Sequence, residues 1–179
     1  IFVYFDIHYI RKAREKYIRK YVLSRSKLGE NVILHSNGTI HYPEKLSIGS
    51  HTRIGENYFI MSAGGVVIGE NTQISRNLCI YSGNHNYESI THIPYDDTNL
   101  LNSVKIGNSV WIGMNVNITP GVTIGDGAII GMGTTISKDV SKGAIVVGGA
   151  QRVVNERDMG EFERLRGQEK YFGKDFPNM

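Results

Sequence analysis

The chain has 179 residues, with 20 Lys and Arg against 17 Asp and Glu, a net charge of +3, 21 Gly and 40% hydrophobic residues. That length and composition suit one domain with a sizeable core. No apolar run approaches the roughly eighteen residues of a membrane-spanning helix, and Cys79 has no second cysteine in the chain to form a disulfide. A lone thiol and no visible secretory leader set the expectation of a cytoplasmic protein.

Residues 1–29 carry eight Lys and Arg against Asp6 and Glu15. Ile10, Ala13, Tyr17, Ile18, Tyr21 and Val22 recur at helical spacing, opposite Arg11, Lys12, Arg14, Lys16, Arg19 and Lys20. This predicts a basic amphipathic helix within residues 1–27. Its expected role is to cover an open end of the following fold. Docking on anionic lipid, which would make the protein membrane-peripheral, stays open as a second role. Nucleic-acid binding is not expected, because no stacking aromatics are interleaved with the basic residues.

From Leu28 onward an aliphatic residue returns every six positions, in triplets: Leu28, Leu34, Ile40; Ile48, Ile54, Ile60; Ile68, Ile74, Ile80; Ile106, Ile112, Ile118; Ile124, Ile130, Ile136. Neither a helix nor one long strand has that period. Short strands joined by corners do, three to a coil, with every aliphatic pointing into a central shaft and coils about 4.8 Å apart. The steps from Leu28 to Ile48 and from Ile48 to Ile68 are twenty residues, an eighteen-residue coil plus two at one corner. Gly often follows the aliphatic, and the fifth position is often small or β-branched, as at Thr52, Thr72, Val110 and Ala128. Both fit a strand that bends sharply at its end. The domain so defined spans residues 28–153.

The beat breaks between Ile80 and Ile106. Continued spacing would put Glu88 and Pro94 in the shaft, a buried charge and a ladder breaker. Residues 83–103 therefore leave the coil as a long polar loop, the kind of segment that carries function. After Val140 the pattern fades into a last strand in residues 143–149, a short polar helix in residues 155–170 and a tail. Residues 154–179 form this C-terminal part.

These hexads, and residues 106–140 above all, resemble the hexapeptide-repeat acyltransferases, in particular the branch of maltose, galactoside and xenobiotic O-acetyltransferases. The resemblance implies an all-β, left-handed parallel β-helix of about five coils, with the excursion loop and short helices at both ends. The hand comes from the resemblance alone, since most parallel crossovers are right-handed. It also implies a homotrimer with acetyl-CoA as co-substrate and no metal. His85, beside Asn84 at the loop root, matches the position of the family's catalytic histidine. Imidazole suits the task, because a base must take the acceptor's proton as the thioester carbonyl is attacked. Trp111, in Val110-Trp111-Ile112-Gly113, matches a residue near the thioester arm; its plainer reading is an aromatic at a subunit contact. Gly113 with Met114, and Gly131 with Met132, match places where main-chain groups bond the pantetheine amides. Ser137, Lys138 and Arg152 match contacts near the cofactor phosphates.

The acceptor is expected to be a small molecule or glycan meeting Asn84, Tyr87 and Trp111. A loop bearing Asn86, Tyr87, His92, Tyr95, Asp96 and Asp97 suits a sugar better than an apolar compound. The expected reaction is direct acetyl transfer to a carbohydrate hydroxyl, of a polysaccharide or lipid-linked sugar. Acetylation of a streptogramin-type antibiotic or of an amino sugar is the alternative. An acyl-enzyme on Cys79 is disfavoured, because no histidine stands beside it in register. Outside acyl transfer, a γ-type carbonic anhydrase needs two zinc histidines five residues apart, whereas His85 and His92 are seven apart. A non-catalytic scaffold would keep its coil unbroken.

Overall fold

The computed structural model describes residues 24–170, apart from 36, 150 and 151, together with residues 10, 13, 16, 17, 20 and 21. Aliphatic residues six apart can share one axis only if the chain turns after each short strand, and it does. Each coil gives one strand of two or three residues to each of three parallel sheets. The first face stacks Lys27–Leu28, Leu46–Ile48, Val66–Ile68, Val104–Ile106 and Thr123–Ile124. The second stacks Ile33–Leu34, Arg53–Ile54, Gln73–Ile74, Trp111–Ile112, Ile129–Ile130 and Ala144–Val147. The third stacks Thr39–His41, Phe59–Met61, Cys79–Tyr81, Asn117–Ile118 and Thr135–Ile136.

Register follows the sequence beat without a slip. Leu28, Ile48, Ile68, Ile106 and Ile124 pair in succession, and so do the spine residues of the other two faces. Val140 and Val146 carry two of the columns into a sixth, partial coil. Every spine residue from Ile48 to Ile136 is buried, whereas Leu28, Leu34 and Ile40 are only partly covered by the coil next to them. Each buried isoleucine contributes about 1.5–3 kcal/mol, so the shaft is the principal source of stability.

The corners explain the rest of the hexad. Three positions after a spine residue the backbone turns left-handed, at Asn31, His51, Asn57, Asn71, Asn77, Ser109, Asn115 and Gly133 among others. Asn and Gly tolerate that region best. The glycine directly after the spine residue answers a different need: a Cβ on Gly49 would lie 2.5 Å from the Glu70 backbone nitrogen of the next coil. The small fifth-position residues turn inward and are buried, Thr52, Thr72, Val110, Val116, Ala128 and Thr134 among them.

The last coil is closed by a strand that the sequence reading put partly in a helix. Arg152–Glu156 runs antiparallel to Ala144–Val147 and pairs its open edge, which would otherwise be left with unpaired donors and acceptors. The helix is confined to Met159–Gly167, capped by Asp158, whose Oδ1 accepts from the N–H groups of Gly160 and Glu161. Phe162 pins it to the Gly127 corner. At the other end, Ile10, Ala13, Lys16, Tyr17, Lys20 and Tyr21 are helical and exposed. The helix expected in residues 1–27 does not reach that far, because residues 24–26 are turn and bend and Lys27 opens the first strand; its other residues, and with them the proposed covering of the first coil, lie outside the described residues.

Candidate active site

The long coils all lengthen at one place, the corner that leads from the third face back to the first. Residues 42–45 supply the extra length in the first coil, residues 63–65 in the second and the excursion in the third. Because the coils are stacked in register, the three insertions lie on one another and are stitched together. Lys45 Nζ donates to the Ala63 carbonyl at 2.7 Å. Buried Ser82 donates through Oγ to the Met61 carbonyl at 2.7 Å and accepts from the Gly64 N–H at 2.9 Å. One coil further on, the Gly121 N–H donates to the Asn102 carbonyl at the excursion's base.

The excursion is a hairpin with an ordered stem. Gly83–His85 pairs antiparallel with Asn99–Leu101, placing His85 opposite Asn99. Beyond the stem, Asp96 draws the two sides together: Oδ2 accepts from Asn86 Nδ2 and Oδ1 from the Thr98 N–H, each at 2.9 Å. Those bonds to the charged form, with Thr98 the largest, hold the Asp96 carboxyl below its usual range. Tyr95 is thereby laid flat on His85, ring centroids 3.9 Å apart and planes within 8°. The His85 N–H donates to Asn84 Oδ1 at 2.9 Å, and the imidazole remains solvent-accessible on a braced stem.

Between this hairpin and the third face lies a groove of about 280 Å³. His85 and Asn84 line one wall with Asn99 and Leu101, while Tyr42, Lys45, Met61 and Tyr81 line the other. Tyr81 ends a ladder of outward rings, with His41 to Phe59 and Phe59 to Tyr81 each 5.3 Å between centroids. Sequence reasoning found Asn84 and His85 but missed Tyr42, Lys45, Met61 and Tyr81. The twenty-residue steps were their signal, since they place extra residues at the corner from which the loop departs. Tyr87 is exposed and does not line the groove.

The residues expected at the donor fall into two groups. Trp111 is 57% exposed on the second face, above a hollow of about 240 Å³ shared with His35, Arg53 and Gln73. Met114 and Met132 stand exposed at the corner just beyond it, and Arg152 pairs with Val147 on the same face. Gly113 and Gly131 give their N–H groups to the Ile130 and Val146 carbonyls, so a ligand there would meet the neighbouring main-chain groups instead. Ser137 and Lys138 are exposed at the far end of the third face, on the corner where His85 is rooted. One chain therefore carries His85 and Trp111 on different parts of the prism.

Cys79 is half-buried beside Phe59 and Asn117, and burial pushes its thiol up, away from the nucleophilic thiolate. Among the described residues no group of three or more His, Cys, Asp or Glu is placed to hold a metal ion.

This architecture is that of the hexapeptide-repeat acetyltransferases, a left-handed parallel β-helix. The bacterial transferase hexapeptide model (six repeats) matches residues 103–138. A maltose O-acetyltransferase from Clostridium difficile 630 superposes with a TM-score of 0.70 at 25% identity, covering 83% of this chain and 86% of that one. A hexapeptide-repeat acetyltransferase from Vibrio cholerae, also solved with acetyl coenzyme A, gives a TM-score of 0.70 at 23% identity over 82% of this chain and 80% of its own. The acetyltransferase WcaF of Escherichia coli K12, provisionally assigned to colanic acid biosynthesis, is 30% identical over 64 residues. That match spans 36% of this chain and about a third, 35%, of WcaF.

Proposed function

We propose that this protein is an acetyl-CoA-dependent O-acetyltransferase acting on a carbohydrate hydroxyl, with His85 as general base. The observation that carries the reading is an accessible imidazole on a braced stem, at the rim of a groove walled by tyrosines and amides. Such a wall offers ring faces and hydrogen bonds, which is what a sugar needs. His85 accepts the acceptor's hydroxyl proton as the new C–O bond forms. The thioester C–S bond breaks, and the imidazolium returns the proton to the departing thiolate, so the enzyme ends unchanged. No residue is acylated; proximity in a ternary complex replaces a covalent intermediate. The raised Cys79 thiol agrees with that.

The donor half fits the second face, where exposed Trp111 overlooks a hollow and Arg152 supplies a charge near the same edge. Because these residues lie away from His85 in one chain, the working unit in this reading is an oligomer, a homotrimer by analogy with the family, whose sites form between copies. The V. cholerae structure with acetyl-CoA supports the donor, and the C. difficile enzyme and WcaF support the acceptor class. A cytoplasmic location goes with this reading, and the eight basic residues of the N-terminal segment suit contact with anionic lipid.

The test is thiol release from acetyl-CoA over a panel of sugars, amino sugars and antibiotics. His85→Ala should lower turnover by about two to four orders of magnitude with an unchanged circular dichroism spectrum. Near-normal acetyl transfer by that variant would remove the general base from the proposal.

A further inference from the structure

Resting on that reading, we propose that the acceptor carries a negative charge, a carboxylate or phosphate attached to the sugar, and that Lys45 is the residue that holds it. The groove has an unbalanced inventory: Lys45 is its single cation other than any charge on His85, and no Asp or Glu lines it. Among the described residues the contacts of the Lys45 ammonium are the Ala63 carbonyl, 2.7 Å away, and the face of Tyr42, 5.9 Å from the ring centroid. An ammonium has three N–H donors, so one bond to a carbonyl leaves two and the whole charge for a ligand. Ordinary surface lysines swing freely in water; this one is tethered at a fixed point of the groove wall.

The backbone beside it is built for the purpose. Tyr42 sits at φ 58° and ψ 54°, a left-handed conformation that a bulky side chain adopts only under constraint. At most other corners of the prism that region is filled by Asn, Gly, Ser or His. Buried Pro43 follows and opens a single helical turn, Pro43–Lys45, that ends on the lysine. Tyr42 and Tyr81 both line the groove and are partly exposed, so a sugar ring can lie against them with its hydroxyl toward His85 and its charged substituent toward Lys45. Glu44, on the same turn, is exposed and does not line the groove. The charge is thus open to an anionic group from outside the chain.

The experiment compares three acceptor arms with the full chain and acetyl-CoA: a neutral oligosaccharide, its counterpart with a uronate carboxylate, and its counterpart with a phosphate. The wild-type protein should favour an anionic arm in kcat/KM by about tenfold or more, chiefly through KM, and added salt should erode the preference. Whichever anionic arm is used better identifies the source of the charge. In Lys45→Met the ratio of anionic to neutral turnover should fall toward one, while Lys45→Arg keeps most of it. Melting temperatures of both variants show whether the groove wall is intact. Equal use of charged and neutral arms by the wild type, or a preference that survives in a folded Lys45→Met, overturns the role of Lys45 while leaving acetyl transfer standing. Absence of acetyl transfer to every arm overturns the enzymatic reading with it.

Discussion

Asp96 does not touch His85, but it bonds the loop residues on either side of the Tyr95 ring that stacks on the imidazole. The carboxylate gathers Asn86 and Thr98, and that closure lays Tyr95 on the imidazole. If His85 is the base of the proposed route, Asp96→Ala should free the ring and lower kcat/KM by about tenfold, since a misoriented base loses near-attack geometry; Asp96→Asn should recover part of the loss, because an amide oxygen still accepts from the Thr98 N–H. Equal activity in all three proteins would show the clamp to be idle. The same bonds fix a pH dependence. A carboxyl whose folded pKa is depressed contributes order that is complete above its ordinary value of 3.8 and disappears as pH falls through the lowered one. The Thr98 amide proton, followed by NMR, should hold its hydrogen-bonded shift from neutral pH to about pH 4 and lose it only in stronger acid. Loss near pH 6 would contradict the assignment.

At the scale of the element, the shaft supplies most of the stability and the buried corner side chains tie one coil to the next. Thr72 is fully buried there; its Oγ1 donates to the Gly107 carbonyl at 2.9 Å and accepts from the Val110 N–H at 3.2 Å, while its own N–H reaches Thr52 Oγ1. Thr72→Val keeps the shape and strands two backbone groups, so denaturant melts should show a loss of about 1–3 kcal/mol. A neutral result would mean the neighbouring backbone finds other partners. What could be read in advance follows the same division. The spine was legible because a period of six suits short strands joined by corners, and the excursion because the beat fails where the chain leaves the coil; His85 was singled out by the family resemblance, not by the spacing. The pairing of Arg152–Glu156 was not, because an antiparallel return depends on which edge the last coil leaves open. Nor were Tyr42 and Lys45, whose meaning comes from stacking on residues twenty and forty positions away. Tyr95 was seen only as a polar-loop aromatic, because nothing in its spacing says that it doubles back ten residues onto His85.

At the scale of the molecule, the residues of the proposed site divide between two edges of the prism. His85, Ser137 and Lys138 share the corner after the third face, whereas Trp111, Met114, Met132 and Arg152 gather on and beyond the second. A rigid stack of parallel coils cannot bend to bring these edges together, so catalysis by the proposed route requires a second copy to supply the missing half. Symmetric closed rings do this for every member at once. Subunits inactivated in different halves should therefore rescue one another. His85→Ala and Trp111→Ala proteins, each with little activity alone, should regain about a quarter of wild-type turnover when unfolded together and refolded at equal concentrations, because random assembly leaves that share of interfaces with both halves intact. Light scattering on the mixture reports the assembly state. Recovery places the imidazole and the indole of each working site on different chains. A mixed oligomer of the same size that stays at the activity of its weaker parents would mean that each chain completes its own site.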